Sequence, residues 1–252
     1  MVSRVSSGKW GFLRPSKVRS GEIRATALLF SYCFFVTSAI IAGKAARDAF
    51  FLTRSDKSLL PLMFVAVAIC VAGFVGLDAS VLSRIRDRHR MVFVHGGLAL
   101  SMILLNGRIS GWVVPCFYVW IEVTNVLLII ELWNLASEVF DPRQAKRLFG
   151  LIGSGGSLAA ILTGFAVRPF VTRFGIEAML PLLSILILSA GALALASLGL
   201  RRPTAHPRRR QQQVRSRMHF NPYFVSIAAL VALGALVTVI TDYQFKILAS
   251  NT

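Results

Sequence analysis

Cations and acids set inside long apolar blocks are the residues of this sequence with chemistry to offer. The first block closes on Gly43-Lys44-Ala45-Ala46-Arg47-Asp48, where Lys44 and Asp48 stand four apart and share a helix face. Far along the chain, Asp242-Tyr243-Gln244-Phe245-Lys246 again sets an acid and a base four apart. Between them a long block carries Glu122, Asn125, Glu131, Asn134 and Glu138. Glu131 and Asn134, three apart, lie on roughly one face, and Glu138 continues it. An ionisable side chain at membrane depth costs about 2.5–3.5 kcal/mol on insertion scales, so each requires a reason. An ion pair within one helix lessens that cost. Lys44, Arg47 and Lys246 around a common cavity would suit an anionic cargo with several phosphate charges. The acidic stripe could pair with those cations or take protons. Plainer readings stand beside these: Arg47 and Asp48 as juxtamembrane charges that snorkel to the surface, and Asn125 and Glu131 as interhelical packing glue.

Other chemistry finds little support. No Ser/His/Asp, Cys/His or paired-His arrangement can be assembled, so no catalysis and no cofactor is expected. His95 stands alone and reads as a packed polar residue. The run Gly150-Leu151-Ile152-Gly153-Ser154-Gly155-Gly156-Ser157 lacks the Gly-Lys-Ser/Thr ending of a phosphate loop and follows no strand. Small residues at this spacing let helices approach closely. Cys33, Cys70 and Cys116 all fall inside apolar blocks without metal-ligand spacing, and read as buried reduced thiols.

These side chains must be positioned by membrane helices. Of 252 residues, 55% are hydrophobic and only 15% charged, against about a quarter charged in a soluble domain. Mean hydropathy is +0.66. The apolar residues gather into blocks at 25–42 (helical through Phe51), 59–77, 91–106, 112–136, 148–167, 178–198 and 223–248, most near the roughly 20 residues of a span. The third is shortest. About seven transmembrane helices are therefore expected, in an all-α membrane protein. The basic tail 1–24 precedes a full-length span without a small-residue cleavage site, which argues against a signal peptide. The net charge of +17 sits in the tail and loops without interleaved aromatics, so it reads as topology and not as nucleic-acid binding. With the N-terminus inside, segments 1–24, 78–90, 141–147 and 199–222 hold six, four, three and seven Lys and Arg, 20 of the chain's 28, as the positive-inside rule requires. That places the chain as a multi-pass membrane protein with its N-terminus cytoplasmic. The linker 201–218, rich in Pro, Gln and Arg, cannot bury a core. It separates six spans (25–200) from a seventh (219–252), as in twelve-span major-facilitator transporters. On that analogy the chain holds one six-helix half and the first helix of a second.

At these same residues the chain resembles the ATP/ADP translocases of plastids and intracellular bacteria. The elements are Glu131-Leu132-Trp133, Ala136-Ser137-Glu138 and Gln144-Ala145-Lys146-Arg147-Leu148-Phe149-Gly150-Leu151-Ile152-Gly153. They are similar to the family's acidic-Leu-Trp element, its Ala-Lys-Arg-Phe-like turn and its glycine-containing helix. Lys44, Arg47 and Asp48 are similar to its basic-x-x-basic-Asp ending of the first helix, and Asp242 and Lys246 to the acid and lysine of its seventh. The resemblance implies nucleotide exchange by alternating access, related to the major facilitators, with the nucleotide as cargo and a bacterial inner membrane as the expected location. Arg47, Glu131, Asp242 and Lys246 would then be transport-critical. Asp242 stands where many members have Glu, and Phe245 where Trp is common. The family's twelve spans imply that a second half comes from elsewhere. Two other readings remain: a proton-coupled facilitator for another small solute, and a truncated, non-transporting membrane module.

Overall fold

The computed structural model describes residues 22–80 and 87–200, with six isolated helical positions between 233 and 244. The tail 1–21, the linker 201–218 and both Asp242 and Lys246 lie outside the described residues. Within them the chain forms six helices: α1 (Ile23–Arg54), α2 (Leu60–Ser80), α3 (Asp87–Leu105), α4 (Val113–Val139), α5 (Pro142–Phe174) and α6 (Met179–Leu198). No strand occurs among the described residues. Five helices, all but α3, are long and apolar enough to cross a membrane. The chain is an all-α, multi-pass membrane protein. α3 has 19 residues, roughly 28 Å of helix, but opens on Asp87-Arg88-His89-Arg90.

Connections are short, so successive helices run antiparallel. One end of the bundle collects the start of α1, the α2–α3 and α4–α5 connections and the end of α6; it is called the Arg90 end below. The opposite end carries Arg54. Local turn chemistry marks several of the helix ends. After α1, Asp56 Oδ1 accepts the Ser58 N–H at 3.0 Å. Between α5 and α6, Gly175 at φ 82° turns the chain through the left-handed region. α5 begins with a capping box, Asp141 with Gln144, followed by Pro142 in the first turn.

α1 is the central helix. It packs along α5 and α6 on one side and α4 on the other, while α2 lies against α4 and α3 against α6. Its buried face runs Leu29, Tyr32, Val36, Ala39, Ala42, Ala46, Phe50, a helical repeat of three and four. The close contact with α5 depends on glycine. A Cβ on Gly155 would lie 2.6 Å from the Phe30 carbonyl oxygen, and one on Gly156 would lie 3.1 Å from Thr37 Oγ1. Gly150 and Gly153, on the other face of α5, would meet nothing within 4 Å. Half of the glycine run thus brings helices together, and half is open. A Cβ on Gly191 of α6 would stand 2.8 Å from His95 Cβ. His95 is buried there between Tyr32 Oη at 3.2 Å and the Met91 carbonyl at 3.1 Å, a packed polar residue. The three cysteines are unpaired; Cys33 is buried, Cys70 half-buried and Cys116 exposed, so the sequence expectation of burial fails for the last.

Candidate functional site

Two ion clusters lie within the helices, at different depths and on different faces of α4. The first is built on Arg47, seven residues before the end of α1 and 5% exposed. Its Nε and Nη2 donate to Asp48 Oδ1, both at 2.8 Å. Its Nη1 is paired with Glu122 of α4. Tyr118, one turn before Glu122, places its ring 4.4 Å from the guanidinium carbon, a cation–π contact that covers one face of the ion. Lys44 is exposed and enters no ion pair among the described residues. It shares the Asp48 face of α1.

That face continues onto α4. Glu122, Val126, Ile129 and Trp133 follow one another at spacings of four, three and four, so they form one stripe of that helix. Glu122 and Val126 are half-buried, Ile129 and Trp133 exposed. Trp133, 43% exposed, leans on Phe149 of α5 with ring centroids 5.5 Å apart. An exposed lysine and a carboxylate about three turns from the nearer helix end are not compatible with hydrocarbon. The α1–α4 face therefore carries a polar patch at Lys44, Asp48 and Glu122, next to the apolar stripe of Val126, Ile129 and Trp133.

The second cluster faces the other way. Glu131, nine residues beyond Glu122, lies on the opposite side of α4 and is 1% exposed. Its Oε1 accepts from Arg90 Nε of α3 at 2.7 Å. Arg90 Nη2 also reaches both carboxylate oxygens of Asp78, at the end of α2, at 3.2 Å. One guanidinium thus joins α2, α3 and α4. Glu131 Oε2 is buried with no hydrogen-bond partner among the described residues.

The site residues expected from sequence are therefore divided. Lys44, Arg47 and Asp48 come together on α1, and their partner acid on α4 is Glu122. Glu131 binds Arg90 instead of a cation of α1, and Asn134 is half-buried beside it, away from the Arg47 cluster. Sequence reading missed Asp78 and Arg90 because it assigned 78–90 to a loop, whereas α2 runs through Ser80 and α3 starts at Asp87. The available signal was position: each charge directly abuts an apolar block.

A third polar tie closes the Arg90 end. Glu22, just before α1, accepts from Gln144 Nε2 at 2.8 Å and from Arg147 Nη2 at 2.5 Å. At the opposite end Arg54 donates to the Ile109 carbonyl at 2.7 Å and to Glu177 at 3.0 Å. Among the described residues, no group of three or more His, Cys, Asp and Glu could hold a metal ion.

Residues 89–188 match the family model of the TLC ATP/ADP transporter. This segment belongs to the TLC ATP/ADP transporter family. Over 82 residues the chain is 32% identical to ADP,ATP carrier protein 1 of Chlamydia pneumoniae, a stretch of 32% of this chain and 15% of that protein. No solved structure matches significantly. The transporter segment runs from the start of α3 into α6, so it includes Arg90, Glu122, Glu131 and the capped α4–α5 turn. Asp78 and the α1 triad Lys44, Arg47 and Asp48 lie outside it, and structure alone ties them to it.

Proposed function

We propose that this chain moves a nucleotide of the ATP/ADP type across a bacterial inner membrane by exchange, with α1 and α4 forming one wall of an alternating-access cavity. The observation that carries the reading is the Arg47 cluster: a buried arginine and an exposed lysine at that polar patch. Arginine matches phosphate oxygens bidentately, and lysine adds a movable point charge. The family of residues 89–188 supports the same cargo class.

On this reading Lys44 and Arg47 receive the phosphates, Asp48 orients Arg47, and the nucleotide passes through unhydrolysed. Glu131 and Asn134 act from the rear face of α4, where Glu131 fixes that helix through Arg90. Asp242 and Lys246 belong to the facing wall. A second helical bundle of major-facilitator type, from a longer chain or a partner chain, completes the cavity. The Arg90 end is cytoplasmic, since the segments at that end carry 20 of the 28 Lys and Arg.

The test is uptake of labelled ATP by proteoliposomes containing the protein and loaded with ADP. Arg47→Gln and Lys44→Gln should each lower exchange roughly tenfold or more, the worth of a hydrogen bond to a charged group. Exchange at the native rate in Arg47→Gln removes this residue from the cargo path. A pH-driven flux indifferent to ADP would favour a proton-coupled carrier of another solute.

A further inference from the structure

We propose that Glu122 is an internal stand-in for the cargo anion, occupying Arg47 while the site is empty and surrendering it by taking up one proton as an anion binds. The inference depends on the nucleotide reading only for the identity of the anion.

The reason is how Arg47 is held: all three of its nitrogens already donate to a carboxylate. A guanidinium offers five N–H donors in one plane. Here one edge is taken by Asp48, the Nη1 side by Glu122, and a ring face by Tyr118. A phosphate needs two parallel donors for a bidentate contact, and each such pair on Arg47 has at least one nitrogen already given to a carboxylate. Charge leads to the same point. Lys44, Arg47, Asp48 and Glu122 sum to zero, so a polyphosphate would enter beside two carboxylates with no surplus cation. In a site of low dielectric that repulsion is several-fold stronger than in water.

The two carboxylates are not equivalent. Asp48 is the next residue to Arg47 and moves with it. Glu122 belongs to another helix and is half-buried at the head of the α4 stripe. It is the acid that can separate from Arg47 without disrupting α1. The charged group it touches is Arg47 of α1; Asp48 and Tyr118 meet that same guanidinium, and Lys44 lies one turn before Asp48 on α1. α6, packed along α1, carries no ionisable side chain. The carboxylate of α2, Asp78, is engaged at the Arg90 end.

The exchange balances simply. The Glu122 carboxylate takes one proton from water and becomes a neutral acid; Arg47 turns its freed N–H groups to an oxygen of the anion. No covalent bond other than that O–H is formed or broken. Each anion bound thus carries one proton into the site, and release on the far side returns both.

The experiment measures equilibrium binding of ATP and of inorganic pyrophosphate to the full chain in lipid nanodiscs. Wild-type affinity should rise as pH falls, by at most about tenfold per pH unit, the limiting slope of one linked proton. Glu122→Gln should bind both probes roughly tenfold tighter near pH 8 and lose one proton of slope. The phosphates' own titration is common to both proteins and cancels in the comparison. Asp48→Asn should tighten binding but keep the slope. Where Glu122→Gln fails to fold, a pH-sensitive dye in weak buffer reads the same quantity in the wild type: one proton taken up per pyrophosphate, beyond the probe's own. Unchanged slope in Glu122→Gln, weaker binding at every pH, or no extra proton overturns the proposal. Pyrophosphate showing this pattern with ATP unbound leaves the stand-in intact and removes the nucleotide reading. Binding of neither probe by either protein overturns both.

Discussion

Where α1 meets α5, helices approach because glycines leave room for them; where α4 meets α2 and α3, they are joined by a charge. In the first region Gly155 and Gly156 of α5 bring its backbone against Phe30, Cys33 and Thr37 of α1, and the tie between the two helix interiors is neutral, Thr163 with Ser38 at 2.9 Å. In the second, Arg90 bridges two carboxylates, and the helices stand apart enough to leave a cavity of about 360 Å³ lined by Phe74, Phe93, Gly97 and Trp120. Lipid tails are as apolar as leucine, so neither region is driven together by exclusion of water. Close packing gives one a fixed geometry. A directional ion bridge gives the other a connection with room around it. On the proposed function, helices that keep their spacing and helices that shift are both needed, and these two constructions suit those roles.

The sharpest way to break this contrast is to delete the bridge. Arg90→Leu leaves Asp78 and Glu131 buried without a counter-charge and should cost about 3–5 kcal/mol, read as thermal unfolding in detergent. Adding Glu131→Gln should recover part of the loss, because one uncompensated acid is removed. Native-like melting of Arg90→Leu would mean that the bridge ties nothing.

Next in size is Gly155→Ala. Its methyl group would meet the Phe30 carbonyl at 2.6 Å, so α1 and α5 must separate, for about 1–3 kcal/mol. Gly153→Ala, facing open space two residues earlier, should be neutral or stabilising by up to about 1 kcal/mol from helix propensity. Equal melting shifts in the pair would erase the distinction between the two faces of α5.

Tyr32→Phe should cost about 1 kcal/mol, the net value of its buried bond to His95. The smallest effect is expected on the loose side. Gly97→Leu projects into the cavity, where a Cβ meets nothing within 4 Å, and should change stability by no more than about 0.5 kcal/mol. A loss comparable with Gly155→Ala would show α2, α3 and α4 to be as tightly packed as the other three helices.

Element positions were legible because span length and hydrophobicity are local properties. Blocks at 112–136 and 178–198 anticipate α4 and α6 within a few residues. α5 extends past its block to Phe174, beyond Arg168 and Pro169, because a helix at a membrane surface continues in water without an apolar pattern. Pairing was less legible. Arg47 and Glu122 are 75 residues apart, Arg90 and Glu131 41, and single-sequence spacing cannot order such contacts. The triad at 44–48 was visible as unusual, but its partner was sought on the stripe of Glu131, Asn134 and Glu138, whose spacing puts them on roughly one face of the helix. Helical phase decides otherwise: nine residues carry Glu131 to the far side of α4 from Glu122. Asp78 and Arg90 were hidden for a different reason, their adjacency to basic loop residues at 84–88.

The dependence of α1 on later helices also sets a schedule for assembly. Its polar groups find their partners far downstream: Tyr32 at His95, Ser38 at Thr163, and Glu22, just ahead of it, at Gln144 and Arg147. At synthesis rates of about 5–20 residues per second, the wait for α5 is on the order of ten seconds. During that interval α1 carries an arginine, Arg47, whose α4 acid has yet to be made. Asp48, already present one residue away, is the counter-charge that lets this helix enter alone.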